Sequence, residues 1–320
     1  MRMTKSLGGF RAAVLAGWFA LSAAGVAYAR LRHIPNWAAF PILAAFLVEY
    51  PFYLVTGFPA VRERLAGSSL AAYIAASTLL PYLISCYGTG QFQWGGLIRL
   101  IALAGVLSLW YLVLPAALFC DMAFLALIAA VLLGGYFNRV YKPPVPGADV
   151  QILGHLALIQ SSVMVLLLER RVNSAGYGFL PARSDWRIGL VHYLYFLPIG
   201  LPLALGLHVI KFGSIAPLWR TAAVFLGVLW VLALSEEFYF RGVLQQWMEE
   251  WTHGSRPLLL TSLLYGLAHL WFRGFPNWRY ALVAMALGFF CGRARNQAGN
   301  IRAGMVTHAL VVTTWRAFFA

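Results

Sequence analysis

Long apolar runs follow one another along almost the whole chain, and that constrains its fold more than any other feature. Eleven can be traced, over residues 10–29, 38–58, 69–88, 96–114, 116–137, 152–168, 188–210, 219–247, 257–272, 279–295 and 301–319. A transmembrane helix needs about 20 mainly apolar residues, the length that crosses the hydrocarbon core. The runs are continuous, whereas barrel strands would alternate in polarity over about ten residues. The expected fold is therefore an all-α, polytopic integral membrane bundle of about eleven transmembrane helices, with nine as the lower bound. Composition agrees: 61% of the 320 residues are hydrophobic and only 11% are charged. A soluble domain carries about 25% charged residues to cover itself.

The net charge of +14 would raise the question of nucleic acid in a soluble protein. Here the arginines and lysines are scattered through short loops between apolar runs. There they act as topology determinants and contacts for anionic lipid headgroups, so the expected partners are membrane lipids and not nucleic acid. The three cysteines, Cys86, Cys120 and Cys291, show no paired spacing and lie in or near apolar segments, which predicts packing roles. Near the N-terminus a basic stretch, an apolar run and Ala27-Tyr28-Ala29 resemble a signal-peptide pattern. An uncleaved first span is expected, because so many spans follow.

Lys142-Pro143-Pro144-Val145-Pro146-Gly147 cannot be helical, since proline lacks the backbone donor and clashes with the preceding turn. It divides the sequence into an N-terminal transmembrane module over residues 1–150 and a C-terminal module over 151–320. Two spans meet at Pro115 in a broken helix or tight hairpin. A basic loop over 169–187 carries Arg170, Arg171, Arg183 and Arg187, with Tyr177 and Trp186 suited to the headgroup level. Loop charge favours a cytoplasmic N-terminus. The expected location is the plasma (inner) membrane of a prokaryote.

Ionisable residues inside apolar spans cost a few kcal/mol each on insertion scales, so they mark function unless simply paired. Glu49, Arg99 and Asp121 each stand alone in a span of the N-terminal half. Snorkelling or one interhelical pair accounts for them. The C-terminal half differs. Fourteen residues without charge, 221–234, lead to Ser235-Glu236-Glu237-Phe238-Tyr239-Phe240-Arg241. Glu237 and Arg241 are four apart and share a helix face, so they can pair. Glu236 is rotated onto another face, where a carboxylate in a low-dielectric site can act as a base toward water. The next apolar span brings Tyr265-Gly266-Leu267-Ala268-His269, and the last brings Thr307-His308-Ala309. His155, His192, His208 and His253 lie nearer span ends and have no such context.

Glu236-Glu237-x-x-x-Arg241, then Tyr265-x-x-x-His269, then His308 resemble the EExxxR, FxxxH and HxxxN motifs of the CAAX protease and bacteriocin-processing family, also called the Abi family. Its members are glutamic-type intramembrane endopeptidases. The resemblance covers residues 180–319. It implies hydrolysis of a peptide bond in a membrane-anchored protein or peptide. It also implies a role for each matching residue. Glu236 takes the proton from water, His269 helps hold that water, and His308 stabilises the oxyanion. Glu237, Arg241 and Tyr265 support them. No cofactor is required by this chemistry. Two departures stand out. Tyr265 replaces the family's phenylalanine, and Val312 occupies the position four after His308, where the family has asparagine or aspartate. Valine cannot donate to an oxyanion, and Thr307, Thr313 and Asn300 do not match the motif position. Two other readings compete. Glu236, His269 and His308 could instead form a two-histidine, one-carboxylate zinc set. A transport, binding or scaffold protein could also use the same polar groups.

Overall fold

The computed structural model describes residues 6–65, 67–172 and 176–319. Met1–Lys5, part of the basic N-terminal stretch, and 173–175, inside the basic loop, lie outside the described residues. The architecture is all-α. Among the described residues no strand forms, and an isolated bridge joins Phe212 and Phe319. The chain separates into two compact units, Met1–Val172 and Asn173–Ala320. The division thus falls after the span at 151–168 and not at the proline-rich segment before it.

The first unit contains α1 (Leu7–Leu31), α2 (Asn36–Val55), the short α3 (Pro59–Arg62), α4 (Ser68–Gly88), α5 (Trp94–Val113), α6 (Leu118–Leu133) and α7 (Gln151–Leu168). The Ala27–Ala29 tripeptide lies within α1. Helix α7 is the most enclosed of these, and it packs against α2, α4 and α5. This is why it groups with the first unit. Pro115 sits in a short non-helical break between α5 and α6, and residues 142–147 form an irregular loop, as proline chemistry requires.

The ionisable residues of this unit are resolved one by one. Asp121 on α6 accepts two hydrogen bonds from the Arg170 guanidinium, at 2.8 and 2.7 Å, and one from Tyr111, at 2.8 Å. Tyr111 belongs to α5, and Arg170 lies two residues past the end of α7. Glu49 is buried and accepts a hydrogen bond of 2.8 Å from the Gln160 amide of α7. Arg99 bends back to the Gly95 carbonyl at 3.2 Å on an exposed face.

The second unit contains α8 (Arg183–Gly206), α9 (Leu218–Trp251), α10 (Arg256–Ala268), α11 (Trp278–Ala298) and α12 (Ile301–Phe318). Helix α11 packs against α8, α10 and α12, and α12 packs against α8 and α9. One carboxylate fastens the ends of two of these helices. Asp185, in the first turn of α8, accepts from its own N-cap backbone N–H (Ala182) at 2.7 Å. It also accepts from the Asn300 amide at 2.9 Å and faces Arg302 Nε at 3.1 Å. Asn300 in turn caps α12 through the Arg302 backbone N–H. A capping side chain satisfies a helix-end donor that would otherwise lack a partner.

Each of the eleven expected spans corresponds to one helix of the two units. Seven of these are long and apolar enough to cross a membrane: α1, α2, α4, α5, α7, α8 and α9. Helices α11 and α12 have the length, at 21 and 18 residues, but carry more polar groups. Helices α6 and α10 are shorter, at 16 and 13 residues.

Arg170→Ala would strand Asp121, which is 4% exposed at its side chain, without its cation. Removing one partner of a buried pair costs about 3–5 kcal/mol, and Arg170 is partly exposed, so about 3 kcal/mol is expected. Thermal unfolding in detergent should show a clear loss for Arg170→Ala and a smaller one for the Arg170→Ala/Asp121→Ala double variant.

Candidate active site

Helix α9 presents the two glutamates from an unusual stretch of backbone. It widens into i→i+5 π turns over Val228–Ala233 and again over Phe238–Leu244. Between them, Leu234–Glu237 is a single ordinary α turn. Such widened turns are rare and recur at functional sites, because they rotate the side chains that follow. Glu237 and Arg241 pair as their spacing predicts, at 3.2 Å, with both side chains essentially out of solvent. Glu236 points elsewhere and keeps 23% of its side chain exposed.

Glu237 Oε1 is the hub of the buried layer. It accepts from Arg241 Nη1 at 3.2 Å and from His308 Nδ1 at 3.0 Å. Arg241 also donates to the Gly288 carbonyl of α11 at 2.8 Å and lies 4.5 Å over the Tyr265 ring. A guanidinium over an aromatic face is attracted by the ring's quadrupole. Two glycines allow this closeness. A methyl group at Gly304 would stand 2.8 Å from Glu237 Oε2, and one at Gly288 would stand 3.1 Å from Arg241 Nη2.

The second layer is centred on Glu236 Oε2. It accepts a 2.7 Å hydrogen bond from the Tyr265 hydroxyl. His269 Nε2 and His308 Nε2 each lie 3.9 Å from the same oxygen. That is beyond direct hydrogen bonding, and such a gap invites a bridging water. His269 lies just past the end of α10, and not inside a longer helix. The α turns stop at Ala268 and a 3₁₀ turn covers His269–Trp271. The His269 backbone N–H turns to the Gly266 and Leu267 carbonyls. The Tyr265 carbonyl is left to accept from the ring Nδ1 at 2.7 Å. The helix end therefore sets the tautomer of the neutral ring: Nδ1 carries the proton, and Nε2 faces Glu236 with a lone pair. Tyr280 stacks on the other face of His269 at 5.6 Å.

Glu236, Glu237, Arg241, Tyr265, His269 and His308 are thus gathered into one constellation. Several members of the neighbourhood were not singled out from sequence. Cys291 is fully buried with Sγ beside Glu237 and His308, and Gly288, Gly304 and Tyr280 shape the walls. A small-residue pattern, Gly288, Cys291 and Gly292 on one face of α11, was the available signal, because small residues let helices approach closely. Val312 follows one turn after His308 and offers no donor. Thr307 and Asn300 are engaged elsewhere, with the Gly189 carbonyl at 2.9 Å and Asp185 at 2.9 Å. A cavity of about 850 Å³ lies apart from the site, between the start of α8 and Gln297.

The two-histidine, one-carboxylate set is not the most closely gathered group of candidate ligands. Among the described residues, the one trio of candidate ligands whose donor atoms all lie within 4.8 Å of one another is Glu237, Cys291 and His308. Glu236, His269 and His308 do not form such a trio, and Glu236 Oε2 is already held by Tyr265. In the trio that does close, Glu237 Oε1 is occupied by a guanidinium, and a second cation there would be repelled.

One comparison with known proteins matches part of the chain to a family. Residues 217–314 match the Rce1-like family, described as type II CAAX prenyl endopeptidase Rce1-like. The match runs from the start of α9 to near the end of α12 and contains all six residues of the constellation. It is the family the three motifs resemble. No curated protein and no solved structure matches the chain.

Arg241→Met should destabilise the second unit by about 3–5 kcal/mol, because it leaves the Glu237 carboxylate buried without its cation. Adding Glu237→Gln removes the stranded charge and should recover part of that loss in thermal unfolding.

Proposed function

We propose that this chain is an intramembrane endopeptidase that hydrolyses a peptide bond in a membrane-associated protein or peptide, using water activated by Glu236 and His269. The observation that carries this reading is the placement of two imidazole Nε2 atoms at 3.9 Å from one partly exposed carboxylate oxygen. A water in that gap can donate one hydrogen to Glu236 and the other to the bare Nε2 of His269. Its oxygen lone pair is then free for a carbonyl carbon. A base placed within hydrogen-bond reach of the nucleophilic water contributes about 10²–10⁴-fold in rate.

Glu237 serves by holding its neighbours. It anchors Arg241 and orients His308 through Nδ1. With Nδ1 committed to Glu237, His308 carries a proton on Nε2 only as an imidazolium, and in that form it can stabilise an oxyanion. The glutamic chemistry proceeds with these side chains and without a metal. The name of the matched family makes prenylated CAAX tails the first substrates to test. The reading places the protein in a prokaryotic inner membrane with its N-terminus cytoplasmic.

Val312 favours a second reading, a binding, transport or scaffold protein on the same helices. One comparison separates them. Membranes carrying wild type or Glu236→Gln are incubated with a farnesylated CAAX peptide, and all peptides released are identified by mass spectrometry. The peptidase reading expects products from wild type that fall at least about 10²-fold in Glu236→Gln, with unchanged thermal unfolding. Equal products from both would discard it.

A further inference from the structure

The centre of the site is rich in acceptors. His269 Nδ1 is bonded to a carbonyl oxygen and His308 Nδ1 to a carboxylate oxygen. Neither partner can donate, so each neutral ring turns a bare Nε2 toward Glu236, itself an acceptor. Three acceptors suit an attacking water, which has two hydrogens to give. They do not suit the scissile carbonyl, whose oxygen becomes an anion and needs donors. Val312 supplies none, and His308 supplies one only as an imidazolium. The Tyr265 hydroxyl reaches this centre with a hydrogen of its own, 2.7 Å from Glu236 Oε2. Its ring is held by the Arg241 guanidinium at 4.5 Å, by Phe240 at 4.9 Å and by His269 at 4.5 Å. Tyr265 is 1% exposed, so the hydroxyl has a fixed place.

We propose that Tyr265 is a catalytic residue of this site, whose hydroxyl donates the hydrogen bond that stabilises the oxyanion. The assignment rests on the peptidase reading. Before reaction the hydroxyl donates to the Glu236 carboxylate. Glu236 then takes a proton from water. The electron pair released from that O–H bond forms the new bond to the carbonyl carbon, and the C=O π pair moves onto oxygen. Glu236 is now a carboxylic acid and a weaker acceptor than the carboxylate was. The hydroxyl turns to the new oxyanion. On collapse the carbonyl reforms, the C–N bond breaks, and the leaving nitrogen takes the proton from Glu236. Tyr265 returns to the regenerated carboxylate. It lends a hydrogen bond throughout and transfers no proton. The phenol that the family's phenylalanine lacks thus stands where a donor is needed.

The test uses the full chain in membranes and three changes: Tyr265→Phe, ring-fluorinated tyrosine at position 265, and Glu236→Gln. The probe is an internally quenched farnesylated CAAX peptide. Where that is not cut, it is the peptide whose release depends most on Glu236. Loss of one oxyanion donor lowers kcat by about 10²–10³-fold. Tyr265→Phe should do so with KM little changed and folding intact. Fluorination makes the phenol a stronger donor without changing the ring's shape, so kcat should vary with phenol acidity. An inactive Glu236→Gln beside a Tyr265→Phe with wild-type kcat would overturn the assignment. A flat fluorinated series would also overturn it, leaving Tyr265 as a positioning residue. If Glu236→Gln also retains activity, or wild type releases nothing that this variant does not, the peptidase reading itself falls and the tyrosine's role falls with it.

Discussion

Everything at the site hangs from one oxygen, Glu237 Oε1, which binds the Arg241 guanidinium and the His308 imidazole together. A carboxylate this deeply buried would be ruinous alone, since desolvating an ion costs several kcal/mol even after relaxation. Here the charge is met by a cation one turn away, and that cation is itself held by a carbonyl and an aromatic face. The clamp joins α9, α10, α11 and α12. It also explains the division of labour between two adjacent glutamates. Glu237 is spent on structure and is buried, and Glu236, one residue earlier, is left partly exposed with its Oε2 facing two histidines.

The fold was largely legible because burial in lipid leaves few options. Apolar runs of sufficient length predict helices, and eleven helices stand where those runs lie. The prolines at 115 and 143–146 mark real interruptions. Periodicity could not show which helices group together. The helix at 151–168 follows the proline-rich segment, yet its buried face is complementary to α2 and α4, and only three-dimensional packing reveals that. Asp185 and Asn300 were equally hidden as a pair, since a bond between residues 115 positions apart leaves no local pattern.

The site divides in the same way. The Glu237–Arg241 pair was legible from i,i+4 spacing, and the isolation of His269 and His308 in apolar sequence flagged both. Glu49 and Asp121 showed the same isolation and proved to be partnered within their own unit. Isolation alone is therefore a weak signal, and convergence of several such residues is the stronger one. Tyr265 read as one aromatic ring in place of another because a motif records ring against ring. Its hydroxyl acquires meaning only through a 2.7 Å contact with a residue 29 positions earlier. Cys291 and Gly304 matter through proximity to Glu237, which no spacing encodes. The end of α10 at Ala268 is a similar case. A single residue's difference in helix length frees the carbonyl that sets the His269 tautomer.

The central claim is that Glu236 acts on water and does not itself attack the peptide. The most direct measurement is a reaction limited to one turnover in water enriched in oxygen-18, with mass spectrometry of both the released peptide and the protein. Attack by activated water places the label in the new C-terminal carboxylate of the peptide and none in the Glu236 side chain. Label in the Glu236 carboxylate, or the absence of any labelled peptide, would contradict the account.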